Sequence, residues 1–493
     1  MNESQRRAIL DSAKYLRNVR PLDPEELSEY VEGGAHPAVV RQVLREHVVE
    51  LRLREREDGT FVPAPEEPIA PAFDGVRTVP KEHLDRLEAL LVERFGPDWA
   101  DDETGDDLRA EIRRLKERYY RQHPVEYDYE AALGYALYHL SAYYAATQYL
   151  LDELASAGLL SSPLRVLDVG AGVGGPALGL FDYVGSEGAL VEYHAVEPSA
   201  AADVLETFLE GIDRNVDATI HRTTAEAFEP EGEYDLLVFA NVLVELSEPI
   251  EVLRRYLSYL APDGSLIALS PADKNTSTNL RRVERAVVDG RTSNGRDEDG
   301  YTAYAPELRL WPGEAPTDRG WSFDRKPDLE VPALQRRLDE GARAAHGDGT
   351  ANGAQANERD PATGEFVNRD VQYSYSILRR DGRRRAEVEP SPERFAKLAD
   401  TESHVGDRID CVTVKLSRSL SEGGNNPLFR VSDGSQSTDH YAVLTRETSL
   451  NRTLLDADYG AVLVLEGALA LWNADEGAYN LVVDEETVVD RIG

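Results

Sequence analysis

Apolar residues recur at helical spacing over about Ser4 to Leu16, and a second short helix is predicted from Pro24 to Tyr30. After Gly33-Gly34-Ala35-His36-Pro37, Pro37 suits a first helical turn, and Val39, Val40, Val43, Leu44 and Val48 mark one side of a third helix. Val49 to Arg54 then alternates as a strand, Asp58-Gly59 turns and Thr60-Phe61-Val62 returns. Three helices followed by a hairpin is the winged helix-turn-helix order, assigned to residues 1–64. Residues 65–79 are Pro-rich and read as a linker. Residues 80–162 are helical and are expected to pack on the core. The last of their helices runs from about Tyr129 to Leu154 and carries Tyr135, Tyr138, His139, Tyr143, Tyr144 and Tyr149, a stripe whose ordinary role is core packing.

From 163 to 300 strand and helix alternate, as in a parallel α/β sheet, and the domain is expected to extend to 340. Residues 341–364 have no apolar period and read as a disordered insertion. Terminal strands are expected within 365–395. Val371 to Leu378 is one, Asp381-Gly382 turns, and Arg383 to Val388 returns. In 404–493, strands are predicted at Ile409–Leu416, Pro427–Ser432, His440–Thr445, Ala461–Trp472 and Tyr479–Val483, with a helical piece at Leu450–Asp456. Five strands with a helix between the third and fourth is the OB-fold order. The expected fold class is therefore a Rossmann-like doubly wound α/β sheet, with a winged helix before it and an OB-like β-barrel after it.

Candidate chemistry concentrates at Val166-Leu167-Asp168-Val169-Gly170-Ala171-Gly172-Val173-Gly174-Gly175, an apolar strand running into a glycine-rich turn and a helix. Glycines let backbone approach a ligand more closely than a Cβ allows. Gly170, Gly172 and Gly175 also fit GxGxxG, which alone suggests a dinucleotide. Asp168 argues otherwise. A carboxylate at that strand end repels a pyrophosphate but attracts the ammonium and sulfonium of S-adenosylmethionine (SAM). The next strand ends at Val196-Glu197-Pro198, where a carboxylate can accept hydrogen bonds from ribose hydroxyls. Glu197 lies 27 residues beyond Gly170, against the ~20 usual for dinucleotide folds. Asp168, Gly170, Ala171, Gly172, Gly174, Glu197 and Asn241 are the candidate cofactor residues. Asn241 and Glu245, past the fourth strand, are the candidates at the transfer site.

Composition bounds the rest. The 493 residues hold 91 acidic and 54 basic side chains, a net charge of −37, and only seven of the basic residues are Lys. Excess acid with scarce Lys resembles proteins that must stay soluble in molar salt, as in a halophilic cell. There a Debye length of roughly 3 Å at 1 M removes long-range attraction, so global acidity says little about a nucleic-acid partner. Residues 1–64 carry only −2 of that charge, and Arg41 and Arg45 lie on the third helix, where a recognition helix meets DNA or RNA. Cys411 is the single cysteine, which excludes an intrachain disulfide and any cysteine-rich zinc or iron–sulfur site; no metal site is expected. No run approaches the ~18 apolar residues of a membrane span, and no apolar signal region follows Met1, so the expectation is a cytoplasmic protein with no membrane partner.

The first motif resembles that of class I SAM-dependent methyltransferases. In that family the loop Thr223 to Phe228 edges the adenine, which makes Glu226 the acidic candidate there. The Tyr-rich helix, Leu164–Gly175, Glu197-Pro198-Ser199, Phe239–Leu246 and Tyr373-Ser374-Tyr375-Ser376-Ile377-Leu378-Arg379-Arg380 follow one another as in the methyltransferase-like family linked to assembly of the small ribosomal subunit. Many members of that family carry iron–sulfur cysteines between the fifth strand and the Tyr-Ser-Tyr strand. Here that stretch has none, and Trp311, Trp321 and Phe323 are expected to supply packing instead. The resemblance implies ribosomal RNA or the small subunit as partner, with Arg379, Arg380, Arg383, Arg384 and Arg385, and Phe429 and Tyr441 with Arg430, as nucleic-acid candidates. Two alternatives stand beside it: a class I methyltransferase of a protein or small molecule, and a non-catalytic SAM-binding assembly factor. Neither the Asn/Asp-Pro-Pro-Tyr/Phe acceptor motif nor a nucleophilic cysteine follows the fourth strand, where Asn241-Val242-Leu243-Val244 stands.

Overall fold

A computed structural model of the chain describes residues 2–71, 73–120, 127–185, 188–290, 300–326, 329–345, 364–421 and 423–493. They divide into two units, Met1–Val238 with Asp328–Val371, and Phe239–Pro327 with Gln372–Gly493.

The first unit opens with α1 (Glu3–Leu16), α2 (Pro24–Glu29), α3 (Pro37–Arg45), α4 (Val48–Leu51) and the hairpin β1 (Leu53–Glu55) and β2 (Phe61–Pro63). The winged-helix order holds, with one correction. The first half of the expected strand Val49–Arg54 is helix, because one helical turn buries Val48 and Leu51 together, which an alternating strand cannot do. Arg52, at φ 49, ends that turn and lets β1 begin.

Arg41 and Arg45 face a buried carboxylate. The Glu55 side chain is 1% exposed, Arg45 grips it through two bonds of 2.6 and 3.0 Å, and Arg41 stands 3.6 Å away. A buried carboxylate needs cationic partners, so these guanidinium groups neutralise Glu55. The hairpin itself is docked within the unit. Glu55 N–H donates to Asn215 Oδ1 at 2.8 Å, Asn215 Nδ2 donates back to the Glu55 oxygen at 3.3 Å, and Leu190 joins the apolar cluster of the winged helix.

The segment expected to be a linker is anchored as well. Ile69, Val76 and Val79 are buried, and Phe73 sets its ring edge-on to Tyr149 at 5.1 Å. Then come α5 (Lys81–Phe95), α6 (Asp102–Tyr120) and α7 (Tyr129–Ser156). The sheet begins with β3 (Leu164–Val169), α8 (Gly175–Gly185), β4 (Val191–Val196), α9 (Ala201–Leu209), β5 (Val216–His221) and β6 (Tyr234–Ala240). β3 is parallel to both β4 and β6, and β4 to β5. β3 and β6 are mostly apolar and buried, as central strands covered on both faces require, whereas the edge strand β5 alternates and is only partly buried. Residues 341–345 continue a helix over Ala333–Ala345, because its apolar spacing runs on; the rest of the expected insertion up to 363 lies outside the described residues.

The second unit takes up the end of β6, where Asn241 N–H bonds Leu269 O at 3.0 Å. It adds α10 (Pro249–Leu257), β7 (Leu260–Pro271), α11 (Lys274–Val288), β8 (Thr302–Ala305), β9 (Asp324–Lys326) and β10 (Val371–Arg379). Read through β6, the strand order is β5-β4-β3-β6-β7-β10-β8, with β10 antiparallel to both β7 and β8. The expected return strand Arg383–Val388 does not form, because β8 already occupies that side of β10.

The barrel comprises β11 (Arg408–Lys415), β12 (Leu428–Ser432), β13 (His440–Leu444), β14 (Val462–Asn473), β15 (Ala478–Val483) and β16 (Val488–Arg491), with a short helix at Thr453–Asp456. Its order β11-β12-β13-β15-β14 closes through β11–β14, and β13 runs parallel to β15. That is the OB topology, with β16 as an addition on β14. Cys411 is buried inside it, where burial pushes its thiol up and leaves it inert. Among the described residues no helix is long and apolar enough to cross a membrane, and no group of three or more His, Cys, Asp or Glu side chains could hold a metal.

The reciprocal amide pair on the hairpin gives a direct test. Asn215→Ala leaves the buried Glu55 N–H without its acceptor and is expected to cost about 1–3 kcal/mol of stability, read as a lowered midpoint in thermal or denaturant unfolding.

Candidate active site

β3 delivers Asp168 to its carboxyl end with 1% of the side chain exposed. Tyr193 on β4 donates to its Oδ2 at 2.7 Å, while among the described residues Oδ1 has no hydrogen-bond partner. Burial pushes the Asp168 carboxyl up to about 7; the Tyr193 bond opposes that shift and the charge of Glu197 adds to it.

Beyond Asp168 the chain turns sharply. Gly170 N–H and Ala171 N–H both donate to Val196 O, at 2.8 and 3.3 Å. Gly172 and Gly174 have φ values of 54° and 90°, and a Cβ on Gly174 would come 2.6 Å from Leu205 Cδ1. A side chain is therefore excluded there by backbone conformation and by packing together.

Glu197, at the end of β4, ties the turn to the sheet. Its Oε2 accepts from Gly172 N–H at 2.9 Å, and its Oε1 accepts from Ser199 N–H at 2.9 Å and Ser199 Oγ at 2.6 Å. Asp168, the glycine turn and Glu197 thus converge at one sheet edge. Next along that edge, Phe228 packs on His221 at 4.6 Å between ring centroids. Ala225 is buried and the expected Glu226 is exposed.

Asn241 and Glu245 belong to the second unit. Asn241 is buried with a left-handed φ of 62°, three residues past the Asp168↔Val238 pairing; Glu245 is exposed, in a turn closed by its N–H to Val242 O at 2.9 Å. Tyr193 was not foreseen from the sequence. A tyrosine on the buried face of Val191–Val196 must find a partner for its hydroxyl, and that requirement was the available signal.

The residues expected to meet nucleic acid have the following surroundings. Arg379 is 1% exposed and is held by Asp381, Ser265 Oγ and Asp263 O. Arg383 pairs with Asp381 at 3.5 Å and Arg384 with Glu307 at 3.7 Å, while Arg380 and Arg385 reach the backbone oxygens of Leu260 and Tyr459. Arg379 is thus locked inside, while Arg383 and Arg384 stay exposed beside acidic partners. Phe429 is part of the barrel core, Arg430 is buried on Asp439 at 2.6 Å, and Tyr441 is half-buried. A small barrel is filled by its inward side chains, which leaves Phe429 no free face. The expected aromatic packing between β8 and β9 does form: Trp311 donates to Asp433 at 2.8 Å, and Trp321 stacks on Phe323 at 5.6 Å.

Residues 140–331 match the family model described as a methyltransferase domain. With the strand order and its antiparallel β10, that match decides the class. These residues form a class I methyltransferase domain. The flanking segments, 6–57 and 399–492, match the N- and C-terminal models of a domain of unknown function (DUF8157).

Equisetin synthetase from Fusarium heterosporum is 24% identical over 207 residues, which is 41% of this chain and 5% of that protein. A hybrid PKS-NRPS synthetase, phm1, from Pyrenochaetopsis is 31% identical over 109 residues, 22% of this chain and 3% of that one. The chain therefore spans about a twentieth or less of the length of these curated relatives. Among solved structures, the plantazolicin methyltransferase BpumL with a triazolic analogue and S-adenosylhomocysteine (SAH) is 11% identical, with a TM-score of 0.29, over 61% of this chain and 98% of that one.

The cofactor of the methyltransferase domain is SAM, and the residues present fit it. Asp168 offers an unsatisfied buried carboxylate oxygen to a cationic group, the glycine turn leaves room that a Cβ would fill, and Glu197 offers acceptors at the neighbouring strand end. Bound SAM supplies an activated methyl group. Asp168, the turn and Glu197 would hold and orient it.

The pKa of Asp168 sets a pH dependence. Because it is raised above the ordinary 3.8, the folded protein keeps this proton up to about pH 7, and the stability gained from it is lost as pH rises through that window. A cationic ligand favours the ionised form, so SAM affinity should rise with pH to a plateau above about 7, with proton release on binding at pH 6–7 in calorimetry. Tyr193→Phe removes a bond that favours ionisation and should weaken SAM about tenfold at pH 7, one unit of pKa being 1.36 kcal/mol. Asp168→Asn should abolish detectable binding.

Proposed function

We propose that this chain is a SAM-dependent methyltransferase whose acceptor is a small molecule or peptide. The observation that carries the cofactor half is the buried Asp168 carboxylate, with one oxygen unsatisfied above a glycine turn that Glu197 clasps. Methyl transfer asks little more of a protein than in-line positioning of an already activated group. The absence of an acceptor motif or a nucleophilic cysteine after β6 is compatible with that.

The acceptor half rests on two supports. The curated relatives include synthetases named for equisetin and trichosetin, which favours small-molecule chemistry over the ribosomal expectation. In addition, Arg379 and Arg430, two of the basic groups expected to meet RNA, are buried on internal partners, and Arg45 pairs with the buried Glu55. The flanking domains then serve in protein contacts, as the docked hairpin of the winged helix does within its own unit.

The test supplies methyl-labelled SAM together with either the deproteinised small-molecule fraction of a cell extract or purified small ribosomal subunits. Label is expected in the small-molecule fraction and should vanish with Asp168→Asn. Label confined to ribosomal RNA would return the function to the ribosome. SAM binding with no label in either fraction would support the non-catalytic alternative.

A further inference from the structure

Glu197 is 7% exposed, and its backbone is fixed as firmly as its side chain, since its N–H donates to His221 O at the end of β5 at 3.0 Å. An ionised carboxylate has about four acceptor sites, two on each oxygen. At Glu197 three of them are in use. Oε1 accepts from both Ser199 N–H and Ser199 Oγ, at 2.9 and 2.6 Å, and Oε2 accepts from Gly172 N–H at 2.9 Å. The site left over lies on Oε2, the oxygen that already meets the glycine turn.

Ser199 is held in place from two sides. Its Oγ also accepts from Ala201 N–H at 3.1 Å, and its carbonyl accepts from Ala202 N–H at 3.2 Å, at the start of α9. The first N–H groups of a helix depend on acceptors of this kind. Turning the hydroxyl away from Glu197 would therefore strip Ala201 N–H of its partner. Gly172 presents the third donor from a backbone whose φ of 54° belongs to the turn itself.

The ribose of SAM carries neighbouring hydroxyls on C2′ and C3′, and each is a donor that leaves water on binding. A carboxylate with two open sites could receive both. Resting on the SAM-dependent reading of this domain, we propose that Glu197 accepts only one of the two ribose hydroxyls, and that Ser199 determines this specificity by filling the acceptor site the other would need. Glu197 meets the cofactor directly, and Ser199 acts through it as a positioning residue. The ribose subsite thus distinguishes its two positions, with one hydroxyl required and the other dispensable.

The test uses the full chain, with SAH, 2′-deoxy-SAH and 3′-deoxy-SAH as probes in calorimetry. One deoxy analogue is expected to bind within about twofold of SAH and the other at least about tenfold more weakly, the scale of a lost hydrogen bond to a charged acceptor. Ser199→Ala opens the second site, so the tolerated analogue should fall about fivefold below SAH, the scale of an ordinary net hydrogen bond. Ser199→Thr keeps the hydroxyl and should keep the wild-type contrast. A serine that served structure alone would shift all three affinities together and leave their ratios unchanged. Equal losses for the two analogues with the wild-type protein, or no loss for either, overturn the single-hydroxyl assignment, which stands or falls without any variant. Unchanged ratios with Ser199→Ala overturn the role of Ser199. Failure of the wild-type protein to bind SAH would instead overturn the methyltransferase reading beneath it.

Discussion

A carboxylate kept out of water at the end of a parallel strand is the constraint around which the first unit is arranged. Asp168 is costly to bury, and a single phenolic hydroxyl from Tyr193 meets only half of its hydrogen-bonding capacity. Such a group persists when something else completes it, and under the proposed function that partner is the cationic part of SAM. Around that need the neighbouring features make sense together. The turn is stripped of side chains, and Glu197 fixes it through Gly172.

The second unit solves a related problem with protein groups alone. Arg281 is almost fully buried and donates to Tyr375 O at 2.5 Å, Tyr459 Oη at 3.1 Å and Ser322 Oγ at 3.3 Å. One side chain thereby joins β10, the segment before β9 and the barrel. Arg309 is matched to Glu284 and Asp289 at 2.5 and 2.7 Å, which holds Glu284 below its usual range despite its burial. Contacts this short and this enclosed are little affected by salt, whereas the field of exposed charges on a chain at net −37 is screened over about 8 Å at 0.15 M ionic strength. Internal pairing is therefore a durable use for arginine in an acidic protein.

Much of the architecture could be read from pattern. The helix–strand alternation after 163, the five barrel strands and the Asp168–Gly174 turn each carry a local signature, and each stands where periodicity placed it. What pattern left out shares one cause, because local sequence shows a charge but not its partner. Arg41 and Arg45 looked like groups awaiting a phosphate, yet Glu55, ten residues past Arg45, takes both. The run Arg379 to Arg385 looked like a displayed patch, but its partners come from residues as distant in sequence as Ser265, Glu307 and Tyr459. The strand expected at Arg383–Val388 failed for a similar reason, since β8, about 80 residues earlier, already pairs with β10. Tyr193 illustrates the converse, an unremarked strand residue whose importance appears only through the register that sets it beside Asp168.

The docking of the hairpin has an architectural consequence. Leu190 fills the interior of the winged helix, and Asn215 supplies both halves of a backbone-like pairing to Glu55, so the small domain's core is completed by residues that belong to the sheet. The amino-terminal module is for that reason not portable. Fused to an unrelated enzyme it would carry an unfilled cavity and a bare strand edge, and it could be inherited only together with the two sheet loops that finish it.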